Sequence, residues 1–277
     1  MSVKIKKAGG QIEEFNEKKL LHSLIRAGAE KEHAREVVKE IESQIKPHMS
    51  TRKIYRLAHR YLKHYNRATV LRYSLKDALL RLGPSGYPFE KYVGELLRSS
   101  GYDVKVGVVL EGRCVTHEVD VYAENNEEIV LVECKYRNSS EGAHDVKTAL
   151  YVYARHQDLR TAMEKQYRDK EINGWLVTNT RFTDDAIQFA ECSGMTIVSW
   201  GYPKKMSLEK MIEESKLYPV TVLSGLTSQQ VRKLIEQNMF LMKDLAKKDT
   251  ASIRKLLSIT DRKASQLKRQ AEELCFC

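Results

Sequence analysis

The sequence predicts a multi-domain α/β protein in which a mixed β-sheet flanked by helices lies between two largely helical flanks. Three observations predict it. The length of 277 residues suffices for about two domains at roughly 150 residues each. The hydrophobic period switches from helical to strand-like spacing and back. Two breaks rich in Gly and Pro, LGPSGYPF (Leu82–Phe89) and WGYPKK (Trp200–Lys205), separate the three regimes.

Composition narrows the function classes. A hydrophobic fraction of 42% can fill real cores, which excludes wholesale disorder. Mean hydropathy is −0.49, and no apolar run approaches the roughly 18 residues of a membrane span. MSVKIKKAGG runs straight into charged residues without an apolar stretch, and Cys114, Cys134, Cys192, Cys275 and Cys277 show no CxxC spacing. A cytoplasmic chain with reduced thiols is expected. The net charge of +10 is uneven: residues 1–87 carry 19 basic and 9 acidic side chains, 88–219 carry 17 and 22, and 220–277 carry 11 and 6. Basic flanks around an acidic centre point to polyanion-binding ends and a carboxylate-rich middle.

In the first region Val3, Ile5 and Ile12 alternate with polar residues around Gly9-Gly10, which reads as a hairpin. Asn16 then caps a helix carrying Leu20, Leu21, Leu24 and Ile25, and further helices are expected over 32–45, 51–64 and 67–81. In the middle region a helix near 89–97 precedes strands near 102–110, 115–122 and 129–136. A helix over 143–166, a strand at Trp175–Thr178, a helix over 183–192 and a strand at Thr196–Trp200 complete a mixed sheet. The tail from Leu226 reads as short helices of 7 to 14 residues.

The chemistry concentrates in VTHEVDVYAE and IVLVECKYR. Residues two apart on a strand share a face, so Glu133 and Lys135 point together and Cys134 points away. The run before Glu133 is that of a central strand, where a carboxylate and an ammonium are costly unless they have a task. The turn Ala123–Glu128 folds the preceding strand back, so that Asp120 ends beside them. Hard Mg²⁺ takes oxygen ligands, which Asp120, Glu133 and the main-chain carbonyl of Cys134 can supply. Lys135 is suited to orient or deprotonate the attacking water and to stabilise charge on phosphorus.

FEKYVGELLRSSGYDV, THEVDVYAENN, IVLVECKYR and the closing INGWLVTNTRFTDDAIQFAECSGMTIVSW together resemble the Mrr-like restriction endonuclease domain of the PD-(D/E)xK nuclease superfamily, over residues 88–201. The resemblance implies a restriction-endonuclease-like sheet, Asp120 and Glu133 as ligands of Mg²⁺ or Mn²⁺, Lys135 as catalytic lysine, and Glu90 as the acidic residue completing the site. His117, Glu118 and His144 read as ordinary strand or helix residues, and Tyr136 and Arg137 as phosphate contacts or sheet-edge packing.

VKIKKAGGQIEEFNEKKLLHSLIRAG brings Lys6, Lys7, Lys18 and Lys19 together around a glycine turn, the make-up of a phosphate cradle. With MSTRKIYRLAHRYL and RATVLRYSLKDALLRLG it resembles the ATP-cone over residues 1–85. That resemblance implies ATP or dATP as an effector, bound without hydrolysis. It places Lys7 and Gly10 on the phosphate-facing turn, Glu13, Asn16 and Lys19 on the adenosine and phosphate contacts, and Thr51 near the nucleotide. Ala8 and Gly9 stand where the family has Arg and Asp.

The tail, residues 222–277, resembles the tandem helix-hairpin-helix of junction-binding proteins. Gly225-Leu226-Thr227 keeps the first glycine of that turn, whereas Ser258-Ile259-Thr260 keeps neither. Arg262, Lys263, Lys268 and Arg269 supply charge for DNA, and a dimerisation module is the rival. The whole reads as a metal-dependent DNA endonuclease regulated by ATP or dATP, expected to act as a homodimer or higher homo-oligomer because cutting both strands needs two sites. A nucleotide-responsive DNA-binding regulator without catalysis, and a structure-specific junction or repair nuclease, stand as alternatives.

Overall fold

The structure, a computed structural model, describes residues 3–7, 10–27, 29–62, 69–70, 73–83, 85–223 and 225–275. It divides into two compact units, Met1–Ala78 and Leu79–Cys277. Ala8, Gly9 and most of the stretch 63–72, on which part of the expected hairpin turn and of the helix over 67–81 falls, lie outside the described residues.

In the first unit β1 (Lys4–Lys6) and β2 (Ile12–Glu14) form the expected hairpin, with Ile5 opposite Glu13. Asn16 caps α1 (Glu17–Arg26) by accepting from the Lys19 amide at 3.0 Å. Then come α2 (Lys31–Gln44) and α3 (Thr51–Leu62). Ser50 Oγ accepts from the Lys53 amide at 3.2 Å at the start of α3. Leu24, Ala34, Val37, Ile41, Ile54 and Leu62 fill the core between these helices. The helix α4 (Leu75–Leu79) ends this stretch; residues 69, 70 and 73 are helical as well, within the 67–81 expected, and the rest of that span before residue 73 lies outside the described residues.

The second unit opens with α5 (Tyr87–Ser99), followed by β3 (Asp103–Glu111), β4 (Thr116–Glu124) and β5 (Glu128–Lys135). Next are α6 (Val146–Met163), β6 (Glu171–Thr178), α7 (Asp184–Ser193) and β7 (Thr196–Val198). The five strands lie in chain order, the first three antiparallel and the last three parallel. Asn125 makes the β4–β5 turn, its Oδ1 accepting from the Glu127 and Glu128 amides at 2.8 Å each. The run Ile129–Val132 is fully buried because the sheet is covered on both faces. On one face α5 packs against Val104, Val106 and Val121. A Cβ on Gly94 would meet Val106 at 3.1 Å and Val104 at 3.3 Å, so glycine sets how near the helix lies. On the other face Leu159 and Met163 of α6 cover Ile129, Leu131 and Tyr122.

Past the second break the chain forms α8 (Leu208–Ser215), capped by Ser207, and a 3-10 turn at Val220–Val222, neither of which the sequence reading anticipated. The tail follows as α9 (Ser228–Glu236), α10 (Met242–Ala246), α11 (Thr250–Leu257) and α12 (Asp261–Cys275), of 9, 5, 8 and 15 residues, a wider spread than expected. α12 packs against α10 and α11. Within this unit the tail clasps α5: Tyr92 Oη donates to the Leu217 carbonyl at 2.6 Å, Lys91 Nζ to Asn238 Oδ1 at 2.6 Å, and Lys243 pairs with Glu95 at 3.0 Å. Among the described residues no helix is long and apolar enough to cross a membrane.

Candidate active site and nucleotide-facing residues

The β4–β5 ladder runs from Glu124↔Ile129 to Val121↔Val132. Asp120 and Glu133 are the next residues beyond the last pair of that ladder, and Glu133 points to the face that α6 covers. Glu133 is buried at 7% exposure, which a carboxylate tolerates only when paired. Both of its oxygens are paired: Lys135 Nζ lies 2.5 Å from Oε1 and Arg155 Nη1 lies 2.5 Å from Oε2. Asp120 Oδ2 accepts from the Cys134 amide at 2.7 Å. The Cys134 side chain is buried on the opposite face, and burial first, then the charges of Asp120, Glu90 and Glu133, hold its thiol well above the usual range.

Burial first, and then Glu133, push the Asp120 carboxyl up to about 6, against the pull of the Cys134 amide, Lys135 and Arg155. Glu90, on α5, approaches from the other face of the sheet. Burial, followed by Asp120, Glu118 and Glu133, pushes its carboxyl up to about 7 while Lys135 pulls it down. Three carboxylates thus gather at one end of the sheet, with Lys135 and Arg155 as the nearest positive charges. Among the described residues, no three His, Cys, Asp or Glu side chains close into a group that could hold a metal ion. Glu90, named from the sequence as the acidic residue completing the site, lies close enough to Asp120 and Glu133 for their charges to raise its carboxyl. The donors themselves, carboxylate oxygens raising one another's pKa, suit a hard divalent cation that keeps several of its waters.

Arg155 is the residue that sequence reading missed. It lies on α6, where its arginine neighbours look the same, and only the packing of α6 across the sheet singles it out. His117 is bound through Nε2 to Asp158 at 2.8 Å and braces the β3–β4 loop, which also hangs on Asp158 through the Cys114 and Val115 amides. His144 takes the Arg137 Nε–H at 3.3 Å, and burial, then Arg137 and Lys135, push it down to about 4. Tyr136 donates to the Leu80 carbonyl at 2.9 Å and tilts against Phe89, so the packing alternative describes it.

In the first unit the Lys7 amide donates to the Gln11 carbonyl at 2.8 Å and the Gly10 amide to the Lys7 carbonyl at 3.0 Å, closing a turn with Gly10 at φ 83°. Lys7 Nζ pairs with Glu13 at 2.8 Å. The Lys6 amide reaches the Met49 carbonyl at 3.0 Å, so the start of α3, with Thr51, runs beside this edge of the hairpin. Lys7, Gly10, Glu13 and Thr51 therefore share one region. Asn16 and Lys19 lie past the far end of β2, where Phe15 donates to the Val3 carbonyl at 2.9 Å, and the Asn16 oxygen is spent on its cap. A pocket of about 670 Å³ opens there, lined by Val3, Phe15, Asn16, Glu17, Lys18, Glu42 and Ile45. Burial and then Glu17 raise the carboxyl of Glu42, which lines this pocket beside Lys18.

Three stretches of the chain match known protein families. Residues 3–79 match the ATP cone domain family, 83–200 the restriction endonuclease family Mrr_cat, and 218–275 the family AF1548-like, C-terminal. An uncharacterized protein of Archaeoglobus fulgidus is 29% identical over 182 residues, 66% of this chain and 99% of that protein. The crystal structure of the protein of unknown function AF1548 aligns with a TM-score of 0.56 at 28% identity, covering 69% of this chain and 98% of that one. The chain therefore carries an ATP cone, a restriction-endonuclease-like domain of Mrr type and an AF1548-like C-terminal domain, in that order.

Proposed function

We propose that this chain is a divalent-cation-dependent DNA endonuclease whose activity responds to ATP or dATP bound by its N-terminal domain. The observation that carries the reading is the meeting of Asp120, Glu133 and Lys135 at one end of two adjacent strands, with both oxygens of a buried Glu133 ion-paired. Asp120 and Glu133 would hold the ion, and Glu90 adds negative charge from the opposite layer. A divalent cation, when bound, neutralises the phosphodiester and polarises it toward attack.

The chain's own residues do the rest. The Cys134 amide orients Asp120 by its hydrogen bond. Lys135 sets a fixed positive charge beside Glu133, where attack on phosphorus builds negative charge. The same ammonium can orient the incoming water. In the first unit, Lys7 and the Gly10 turn supply charge and main-chain amides for a triphosphate, which acts there as an effector.

A plasmid-nicking assay in Mg²⁺ or Mn²⁺, with and without ATP, tests the reading. Wild type should nick and linearise DNA, and Asp120→Ala and Lys135→Ala should each abolish cleavage while DNA binding persists. Equal cleavage rates for purified Asp120→Ala and wild type would overturn the site. Competition between branched and linear duplex separates a junction nuclease from one acting on linear DNA.

A further inference from the structure

The β4–β5 ladder stops at Val121↔Val132, although β4 begins at Thr116 and β5 continues to Lys135. Beyond that point sheet pairing no longer fixes Asp120 and Glu133 relative to each other. Two side chains take over. Asp120 itself accepts the Cys134 amide at 2.7 Å, in place of a ladder bond. Arg155 spans the two strands: Nη1 holds Glu133 Oε2 on β5 at 2.5 Å, and Nη2 donates to the main-chain carbonyl of Glu118 on β4. The planar guanidinium makes both bonds at once, which a single ammonium cannot do with the same geometry. Its Cζ lies 5.6 Å from the centroid of the Tyr151 ring, one helical turn earlier, which steadies the fork.

The two cations on Glu133 differ in what they leave open. Lys135 marks Oε1, on the side of the strand end, and Arg155 occupies Oε2 from α6. An ion entering between Asp120 and Glu133 can exchange with the ammonium at Oε1 while Oε2 stays in the fork. We propose that Arg155 is a positioning residue of this site: by clamping Glu133 Oε2 to the Glu118 carbonyl it holds Glu133 facing Asp120 before a divalent cation arrives. The inference rests on the reading of Asp120 and Glu133 as the ion-holding pair.

The test titrates Mn²⁺ into the full, DNA-free chain by calorimetry and follows plasmid nicking at saturating Mn²⁺. Asp120→Asn should abolish the Mn²⁺ heat, which assigns the ion to this site. Arg155→Lys keeps the charge and loses the fork, so it reads orientation alone. It should weaken Mn²⁺ binding about tenfold, with nicking at saturating Mn²⁺ within about threefold of wild type, because the bound ion then does the holding. Tyr151→Ala, at an exposed position, should shift Mn²⁺ affinity in the same direction by about twofold to threefold. Unchanged Mn²⁺ affinity in both variants would overturn the proposal. So would a nicking loss in Arg155→Lys that saturating Mn²⁺ does not restore, which would make Arg155 a substrate contact. Mn²⁺ heat that survives in Asp120→Asn would overturn the site reading itself, and the inference with it.

Discussion

Cys134 N–H lies 2.7 Å from Asp120 Oδ2, so the strand end that carries Glu133 and Lys135 also aims the carboxylate facing them. This bond survives an isosteric amide, since the Asn oxygen accepts as well. Asp120→Asn should therefore fold normally and lose one of two facing negative charges. We expect the metal-free variant to melt a few degrees above wild type, about 1 kcal/mol more stable, while cleavage is lost. Calorimetric melts in EDTA beside the nicking assay check both halves.

His156 gives a second expectation, on stability alone. It is buried at 7% exposure, its Nδ1 has no hydrogen-bond partner among the described residues, and a Cβ on Gly174 would fall 2.2 Å from that nitrogen. Gly174→Ala should cost roughly 1–3 kcal/mol by overpacking, and His156→Ala in the same chain should recover part of it. Urea denaturation of the single and double variants measures the coupling.

The same histidine sets a pH dependence. Burial first, then Arg155 and His117, push it down to about 4 from its ordinary 6.5. The folded state thus resists a proton that the unfolded chain accepts. The stability it contributes is complete above about pH 6.5 and is lost as pH falls towards 4, by on the order of 3 kcal/mol. Urea midpoints between pH 7.5 and 4 should show that fall, and His156→Gln should flatten it.

For the nucleotide, ATP or dATP at about 100 times its dissociation constant should stabilise the binding unit by about 2.7 kcal/mol. Lys7→Ala with Lys19→Ala should erase the shift. Thermal melts with and without nucleotide, together with phosphate-release assays showing no hydrolysis, check this.

In the tail, Lys268 and Arg269 pair loosely with Glu272 and Glu273 at 3.7 and 3.8 Å, and Lys263 Nζ lies against Gly225 at the first turn. If the tail anchors DNA, replacing Arg262 and Lys263 should flatten the salt dependence of binding by about 0.9 log units per contact. An unchanged slope with a halved mass in sedimentation would assign the tail to dimerisation instead.

How much of this was legible in the sequence depends on how local each signal is. Glu133 and Lys135 could be read because a charged pair two residues apart interrupts a wholly apolar strand, and Asn16 because a cap acts on its own next turn. Asp120 followed from the Asn125 turn, which fixes the hairpin length. Arg155 was invisible, since its partners are 22 and 37 residues away on two other elements. The helix α8 was lost in the shadow of the Gly-Pro break, although Ser207 caps it as plainly as Asn16 caps α1. Glu90 was identified, but its approach from the other layer depends on how α5 lies on Val106, which no pattern in residues 87–99 states.

The bonds from Tyr92, Lys91 and Glu95 to Leu217, Asn238 and Lys243 bear on how the gene can be cut. α5 delivers Glu90 from one side and carries the tail on another, so trimming at Trp200 would strip a buried tyrosine of its acceptor and expose the helix beneath the site. The smallest fragment that keeps the carboxylates as they stand runs from Leu79 to the end of α12, and an inactive 88–201 piece would say nothing about whether the chain cuts DNA.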